Sequence, residues 1–304
     1  MFAQAITVPT RMLDVRDNLI SRLEKLIYSL INSTGIHATH QSQSIAQLAA
    51  IYHLRSGGRR VRARLAIQAC SALGLSEDDA LCIAAVVELL HNASLIHDDL
   101  QDQEKLRHGC VTVWTKFGTN VAICTGDLML SAAYGALCRV SNVQVLPSLL
   151  ALIHERTASA IDGQCADLAA QTHAINNTDS YEKIVIAKSG ALLSLPLELA
   201  LTACGKATWA GLARKAAEAF SIAYQIADDL TDIQQDRLTI GLNILMVLES
   251  EGQTTNAQDA ASRLGLQHLD AAVAAAHRLP CNSGALLLQL SCELREFLTP
   301  RNTG

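Results

Sequence analysis

Residues 81–102, LCIAAVVELLHNASLIHDDLQD, decide how the chain is read. Most of this stretch is apolar all round, the pattern of a helix enclosed by protein. Glu88, His91, Asp98 and Asp102 interrupt it at steps of 3, 7 and 4, and Leu95 fills the missing step. Positions three or four apart share one helix face. A helix that should hide only apolar groups therefore carries a polar stripe ending in carboxylates, with Asp99 beside them. A second stretch, EAFSIAYQIADDLTDIQQD at 218–236, repeats the arrangement. Glu218, Ser221, Gln225, Asp228, Asp232 and Gln235 step by 3, 4, 3, 4 and 3, with Asp229 alongside.

Burying unpaired carboxylates costs several kcal/mol each or shifts their pKa. One DDxxD alone reads as a solvated acidic helix end. Two, about 130 residues apart and each on an apolar helix, call for cations. The i, i+4 spacing aims two carboxylates the same way, a donor set suited to Mg²⁺, which takes one or two carboxylates and leaves positions for water and phosphate. An anionic substrate would also need side-chain cations. The sequence offers Gly57-Gly58-Arg59-Arg60-Val61-Arg62 at a predicted helix start, Arg107-His108-Gly109 after the first cluster, and Lys188-Ser189-Gly190 inside an apolar run. His91 shares the Asp98 face and reads equally as a core histidine or as a ligand-binding group.

Composition agrees with a helical enzyme. Half of the 304 residues are hydrophobic, and there are only five prolines. Ala and Leu dominate, residues that lose little on entering a helix. The net charge of −5 and the lack of any Lys/Arg block argue against nucleic acid. Helical periodicity predicts helices at about 11–33, 43–54, 58–73, 77–106, 118–140, 143–173, 179–204, 207–236, 240–252, 256–264, 266–278 and 283–298. Caps are expected at Ser76, at Asp179 with Glu182, and at Thr255 with Gln258. The fold class is therefore all-α, a large bundle of about 10–13 helices with buried central ones, in a length that admits one large domain or two. The nine cysteines form no CxxC pair and read as reduced, buried thiols of a cytoplasmic protein. No signal peptide and no membrane span are expected, since Glu88, His91, Arg139 and Glu198 interrupt the most apolar windows.

Read together, LIHDDLQDQEKLRHG, YQIADDLTD, GGRRVR, AKSGAL and DGQCADL resemble the landmarks of the trans-isoprenyl diphosphate synthases, or polyprenyl synthetases, in the family's order from about Gly57 to Asp236. The resemblance implies a single domain, residues 1–304, whose helices surround a central cavity, and a prenyltransferase that joins an allylic prenyl diphosphate to isopentenyl diphosphate, with two to three Mg²⁺ ions and a homodimeric state. It implies that Asp98, Asp99 and Asp102 hold metal from one wall, and Asp228, Asp229 and Asp232 from the other. Catalysis would rest on Asp98, Asp99, Asp102, Asp228 and Lys188. Arg107, Lys188, Ser189 and Gln225 would bind the allylic diphosphate, and Arg59, Arg62, His91 and His108 isopentenyl diphosphate. Gln164 and Asp167 would line the metal site. Ala93 and Ser94 would set chain length, unless Leu128 to Tyr134 on a neighbouring helix close the floor. These small residues, with no two-residue insertion in the first motif, favour geranylgeranyl over farnesyl diphosphate.

The chain departs from the family pattern at four points. Arg59 stands for the usual Lys, Ala63 for a Pro, and His108 for a second Arg. QQDRLTIGLNILMVLE lacks the lysine-bearing loop that follows the second motif. Two other readings stay open: a terpene-synthase-like enzyme that ionises a single prenyl diphosphate, and a non-catalytic partner subunit of another prenyl synthase.

Overall fold

The computed structural model describes residues 13–33, 43–172, 175–239, 242–253 and 256–299. They are overwhelmingly helical and divide into two compact units, one covering 8–71 and 75–146, the other 147–304 with the short stretch 72–74. The expectation of an all-α chain holds; among the described residues, extended structure amounts to one small hairpin.

The first unit contains α1 (Leu13–Asn32), α2 (Ile45–Arg55), α3 (Val61–Ala72), α4 (Glu77–Gln101), β1 (Leu106–Arg107), β2 (Cys110–Val111), α5 (Val113–Phe117) and α6 (Thr119–Leu137). Its centre is α4. Ser76 caps that helix by accepting from the backbone N–H of Asp79, and Glu77, Asp78 and Asp79 place negative charge where the helix dipole is positive. Every residue from Asp79 to Leu90 is buried. Helix α6 packs against α4 so closely that a Cβ at Gly126 would lie 2.1 Å from His97 Nε2.

The predicted helix over 77–106 ran too far. The helix ends at Gln101 with Asp102 as its C-cap, and Gln103 takes φ +58. The chain then turns back at His108 (φ +50) and Gly109 (φ +79), two successive positive-φ residues between two short strands, as a tight hairpin requires. The His-Gly dipeptide is the local signal that periodicity overrode.

The second unit contains α7 (Leu146–Ala170), α8 (Thr178–Val185), α9 (Ala191–Ala203), α10 (Ala210–Thr239), α11 (Ile244–Ser250), α12 (Ala257–Ala276) and α13 (Ala285–Leu298). One π-helical turn, Ile186–Gly190, joins α8 to α9. Every residue of α9 is buried, Glu198 included at 0% exposure. That carboxylate accepts from Ser194 Oγ at 2.7 Å and Arg214 Nε at 3.2 Å, so the charge is answered inside. Asn177, rather than Asp179, caps α8 by accepting from Ser180 N; Asp179 lies in the first turn. Thr255 is outside the described residues. The break expected at Gly265 does not occur, because the missing side chain there makes room for Leu298: a Cβ would come within 2.8 Å of its Cδ1.

Helix Glu77–Gln101 and the continuous run Thr178–Ala203 are, by length and composition alone, apolar enough to cross a membrane. In each, 78% of the most apolar window is buried against protein, so core packing accounts for their composition. No disulfide joins the described cysteines, but only Cys70 and Cys82 are buried; Cys124, Cys138, Cys165, Cys281 and Cys292 are exposed. Helical amphipathicity places a thiol inside or outside by its face, which the apolar average of a run conceals.

Candidate active site

In the first unit the acidic stripe ends where α4 ends. Asp98 and Asp102 are half-buried, and Asp99 is buried at 1% exposure. The C-terminal turn of a helix is its negative pole, so three carboxylates there need positive partners. Arg107 on β1 supplies one: its Nε donates to Asp99 Oδ1 at 2.6 Å and its Nη2 to Asp98 Oδ2 at 3.3 Å. Asp99 Oδ2 is left buried with no hydrogen-bond partner. Burial raises the Asp99 pKa, and Arg107 opposes that rise.

A basic cluster lies in the same unit. Arg60 takes φ +51 and reaches α4, donating through Nη1 to Glu88 Oε1 at 2.9 Å and through Nη2 to the Leu54 carbonyl at 3.0 Å. Arg62 Nη1 lies 3.2 Å from His91 Nε2. A guanidinium can only donate, so this imidazole nitrogen accepts and His91 is neutral. Burial, then Arg62, push its pKa well below the usual value. His53 on α2 is buried and pushed down to about 4 by burial and then by Arg107. His108 sits at the exposed hairpin tip with its pKa lowered by burial and then by Arg107. Arg59 is half-buried, and its carbonyl accepts from Arg64 Nε. Ala93 is packed at 1% exposure, whereas Ser94 is half-exposed and donates to the His91 carbonyl at 2.8 Å.

In the second unit the polar stripe of α10 grades outward. Ser221 is buried, Glu218, Gln225 and Asp228 are half-buried, and Asp232 is exposed. Asp229, on the adjacent face, is buried at 2% exposure. Its Oδ1 accepts from Gln225 Nε2 at 2.8 Å; its Oδ2 accepts from Tyr181 O–H and from Ile244 N, both at 2.7 Å. Lys188 lies in the π turn, a feature frequent at functional positions, and donates to Asp167 Oδ2 at 2.5 Å. Ser189 follows it in the same turn. The turn can approach α7 because position 163 is glycine: a Cβ there would lie 2.2 Å from the Lys188 backbone nitrogen. Gln164, the next residue of α7, has a buried Nε2 without a partner.

Among the described residues, no three His, Cys, Asp or Glu side chains already converge as a metal cage. The donors nevertheless suit a hard divalent ion. They are carboxylates spaced i, i+4, half-buried or exposed, and one of their neighbours, Asp99, keeps an unanswered buried oxygen. Such a set leaves coordination positions for water and phosphate oxygens.

Comparison with known proteins decides the family. The polyprenyl synthetase family model matches residues 43–255, a span that includes both acidic clusters and every cation named above. The chain belongs to the polyprenyl synthetase family. Over 241 residues it is 32% identical to geranylgeranyl pyrophosphate synthase 11, chloroplastic, of Arabidopsis thaliana, covering 75% of this chain and 66% of that protein. It is 29% identical over 194 residues to the short chain isoprenyl diphosphate synthase of Methanothermobacter thermautotrophicus, covering 62% and 58%. The matched stretches thus span less than two-thirds of these relatives' own length. In fold, the chain is similar to geranylgeranyl pyrophosphate synthetase from the archaeon Geoglobus acetivorans, with a TM-score of 0.79 at 22% identity, covering 93% of this chain and 99% of that one.

In this chain, sequence reading missed two residues of the site region, His53 and Tyr181, and the partner of a third, Arg60. The sequence marks Arg60 only as one of the cations of the GGRRVR turn, and the structure shows it locking that turn onto Glu88. His53 carries no motif, and only the packing of α2 brings it beside the arginines. Tyr181 belongs to none of the motifs, and its partner lies 48 residues away.

Proposed function

We propose that this chain is a Mg²⁺-dependent trans-prenyltransferase that joins an allylic prenyl diphosphate to isopentenyl diphosphate and releases diphosphate. Geranylgeranyl diphosphate is the favoured product and farnesyl diphosphate the next. The observation that carries this reading is the first unit's pairing of an acidic turn with a basic cluster. Asp98, Asp99 and Asp102 stand at one end of α4, His91 lies on that helix, and Arg62 and Arg107 reach it from outside. Acid alone would repel a diphosphate, and base alone would not need buried carboxylates.

In this reading Asp98, Asp99 and Asp102, with Asp228, Asp229 and Asp232, hold the divalent ions, which when bound neutralise the leaving diphosphate. Arg107, Lys188, Ser189 and Gln225 orient the allylic diphosphate so that its C–O bond breaks toward that charge. Arg59, Arg62, His91 and His108 hold isopentenyl diphosphate with its double bond facing the allylic carbon. The double-bond electrons form the new C–C bond, and a proton then leaves the adjacent carbon, with the released diphosphate as its acceptor. Apolar walls exclude the water that would quench the cation. The reading treats residues 1–304 as one cytoplasmic catalytic domain working as a homodimer.

His108 favours one competing reading, because a neutral imidazole at that position weakens the isopentenyl diphosphate site. A terpene-synthase-like enzyme would release diphosphate from the allylic substrate alone. The deciding experiment incubates the purified chain and Mg²⁺ with dimethylallyl, geranyl or farnesyl diphosphate, with and without isopentenyl diphosphate, and analyses products by mass spectrometry. Elongated prenyl diphosphates that form only with both substrates support the proposal. Turnover of the allylic substrate alone transfers the assignment to the cyclase-like reading, and no diphosphate release under any condition favours a non-catalytic partner subunit.

A further inference from the structure

We propose that Tyr181 is a positioning residue for the second aspartate cluster, pinning Asp229 so that the helix carrying Lys188 and the helix carrying Asp228 and Asp232 keep one fixed register. The inference rests on the metal-site reading above and revises it at one position: Asp228 and Asp232 contact the ions, while Asp229 orients the turn that carries them.

Tyr181 is fully buried and among the largest side chains that are. A phenylalanine would fill the same space, so packing alone does not explain the hydroxyl, and a buried phenol must find a partner. It donates to Asp229 Oδ2 at 2.7 Å. The same oxygen accepts from Ile244 N, and the other accepts from Gln225 Nε2. The Asp229 carbonyl in turn accepts from Asn243 Nδ2 at 3.0 Å, and Asn243 caps α11 through Leu245 N. Both carboxylate oxygens thus have protein donors, and the residue joins α8, α10 and the start of α11. Successive helical residues lie about 100° apart around the axis. Asp228 and Asp232 therefore share a face that Asp229 does not, and fixing Asp229 fixes how that face is turned.

Tyr181 also lies on the element that leads to Lys188. Seven residues separate them through α8 and into the π turn, about two helical turns. Lys188 is anchored from its other side by Asp167 and by the close approach of Gly163. One phenolic hydrogen bond therefore couples the Lys188 helix to the acidic turn of α10. The π turn also packs directly on α10, where a Cβ at Gly190 would lie 2.9 Å from Ser221 Oγ, so loss of the phenol leaves the helices in contact but leaves Asp229 with only Gln225 and Ile244 N to set its angle.

The experiment uses the full chain and follows Mn²⁺ binding by EPR in the presence of inorganic pyrophosphate, together with steady-state kinetics. For Tyr181→Phe, the Mn²⁺ half-saturation point should rise about tenfold and kcat should fall about tenfold, with the KM for isopentenyl diphosphate within about twofold of wild type. Asp229→Asn should weaken Mn²⁺ to a similar extent and clearly less than Asp228→Asn, and the Tyr181→Phe/Asp229→Asn double variant should be no worse than either single one, as expected of coupled partners. Wild-type Mn²⁺ binding and kcat in Tyr181→Phe, with only the melting temperature lowered, would overturn the proposal and leave a purely structural phenol. If Tyr181→Phe does not fold, Asp229→Asn carries the test: Mn²⁺ binding unchanged, or lost as fully as in Asp228→Asn, overturns it. Absence of Mn²⁺ binding in the wild type would instead remove the metal-site reading itself.

Discussion

Asp98 and Asp228 head the two acidic turns, and a truncation at either removes a carboxylate without creating a large void. Asp98→Ala and Asp228→Ala should each lower kcat by about two orders of magnitude or more, since charge neutralisation by a bound ion supplies several kcal/mol. Circular dichroism should show an unchanged fold. Wild-type turnover in either variant would take that cluster out of the mechanism. Ala93 is packed, so Ala93→Phe should both shorten the product and cost about 1–3 kcal/mol of stability through overpacking. Unchanged product length, read by mass spectrometry, would move the tunnel floor elsewhere. His53 makes a pH prediction. Its folded pKa of about 4 lies below the usual 6.5, so between those values the unfolded chain binds the extra proton. Stability contributed by the neutral ring is complete above about pH 6.5 and is lost as pH falls toward 4, by an amount on the order of 3 kcal/mol. Urea midpoints across this range should fall with pH in the wild type and fall less steeply in His53→Gln, the slope that stays belonging to His91 and His108, whose pKa values are also lowered.

At the scale of elements, the sequence was legible wherever one local signal stood alone. The cap at Ser76 and the apolar body of α4 were both read correctly, and Ser76→Ala should cost about 1 kcal/mol, measurable as a lowered urea midpoint. Where two local signals competed, the reading failed. Periodicity carried the helix past Asp102, although His-Gly at 108–109 set a hairpin turn. Glycine at 265 was read as a break, yet its purpose is lateral contact with Leu298. Gly163 was noticed only as part of a motif, and its physical role is the approach of α7 to the π turn. Gly163→Ala should therefore destabilise the second unit by about 1–3 kcal/mol and lower kcat by displacing Lys188. A variant with wild-type stability and rate would show that the two backbones can separate without consequence.

For the whole molecule, the described core is built from apolar helix faces and internally paired charges such as Glu198 with Arg214. None of that core requires a metal. Chelation of divalent ions should accordingly abolish turnover while leaving helicity and melting temperature nearly unchanged. Adding Mg²⁺ with inorganic pyrophosphate should then raise the melting temperature in a concentration-dependent way, because a ligand that binds only the folded state shifts the equilibrium. A large loss of stability on chelation alone would mean that metal is part of the fold.

The sequence by itself determined the all-helical class and the two acidic stripes, because helical spacing puts residues three or four apart on one face whatever surrounds the helix. It also determined which cations stand near those stripes along the chain. Only the tertiary structure decided how they are used: Arg107 on Asp98 and Asp99, Arg60 on Glu88, Arg62 against a neutral His91, and Tyr181 on Asp229. Those pairings join residues whose separation along the chain carries no periodic signal, and their protonation states follow from burial, which a local pattern does not encode.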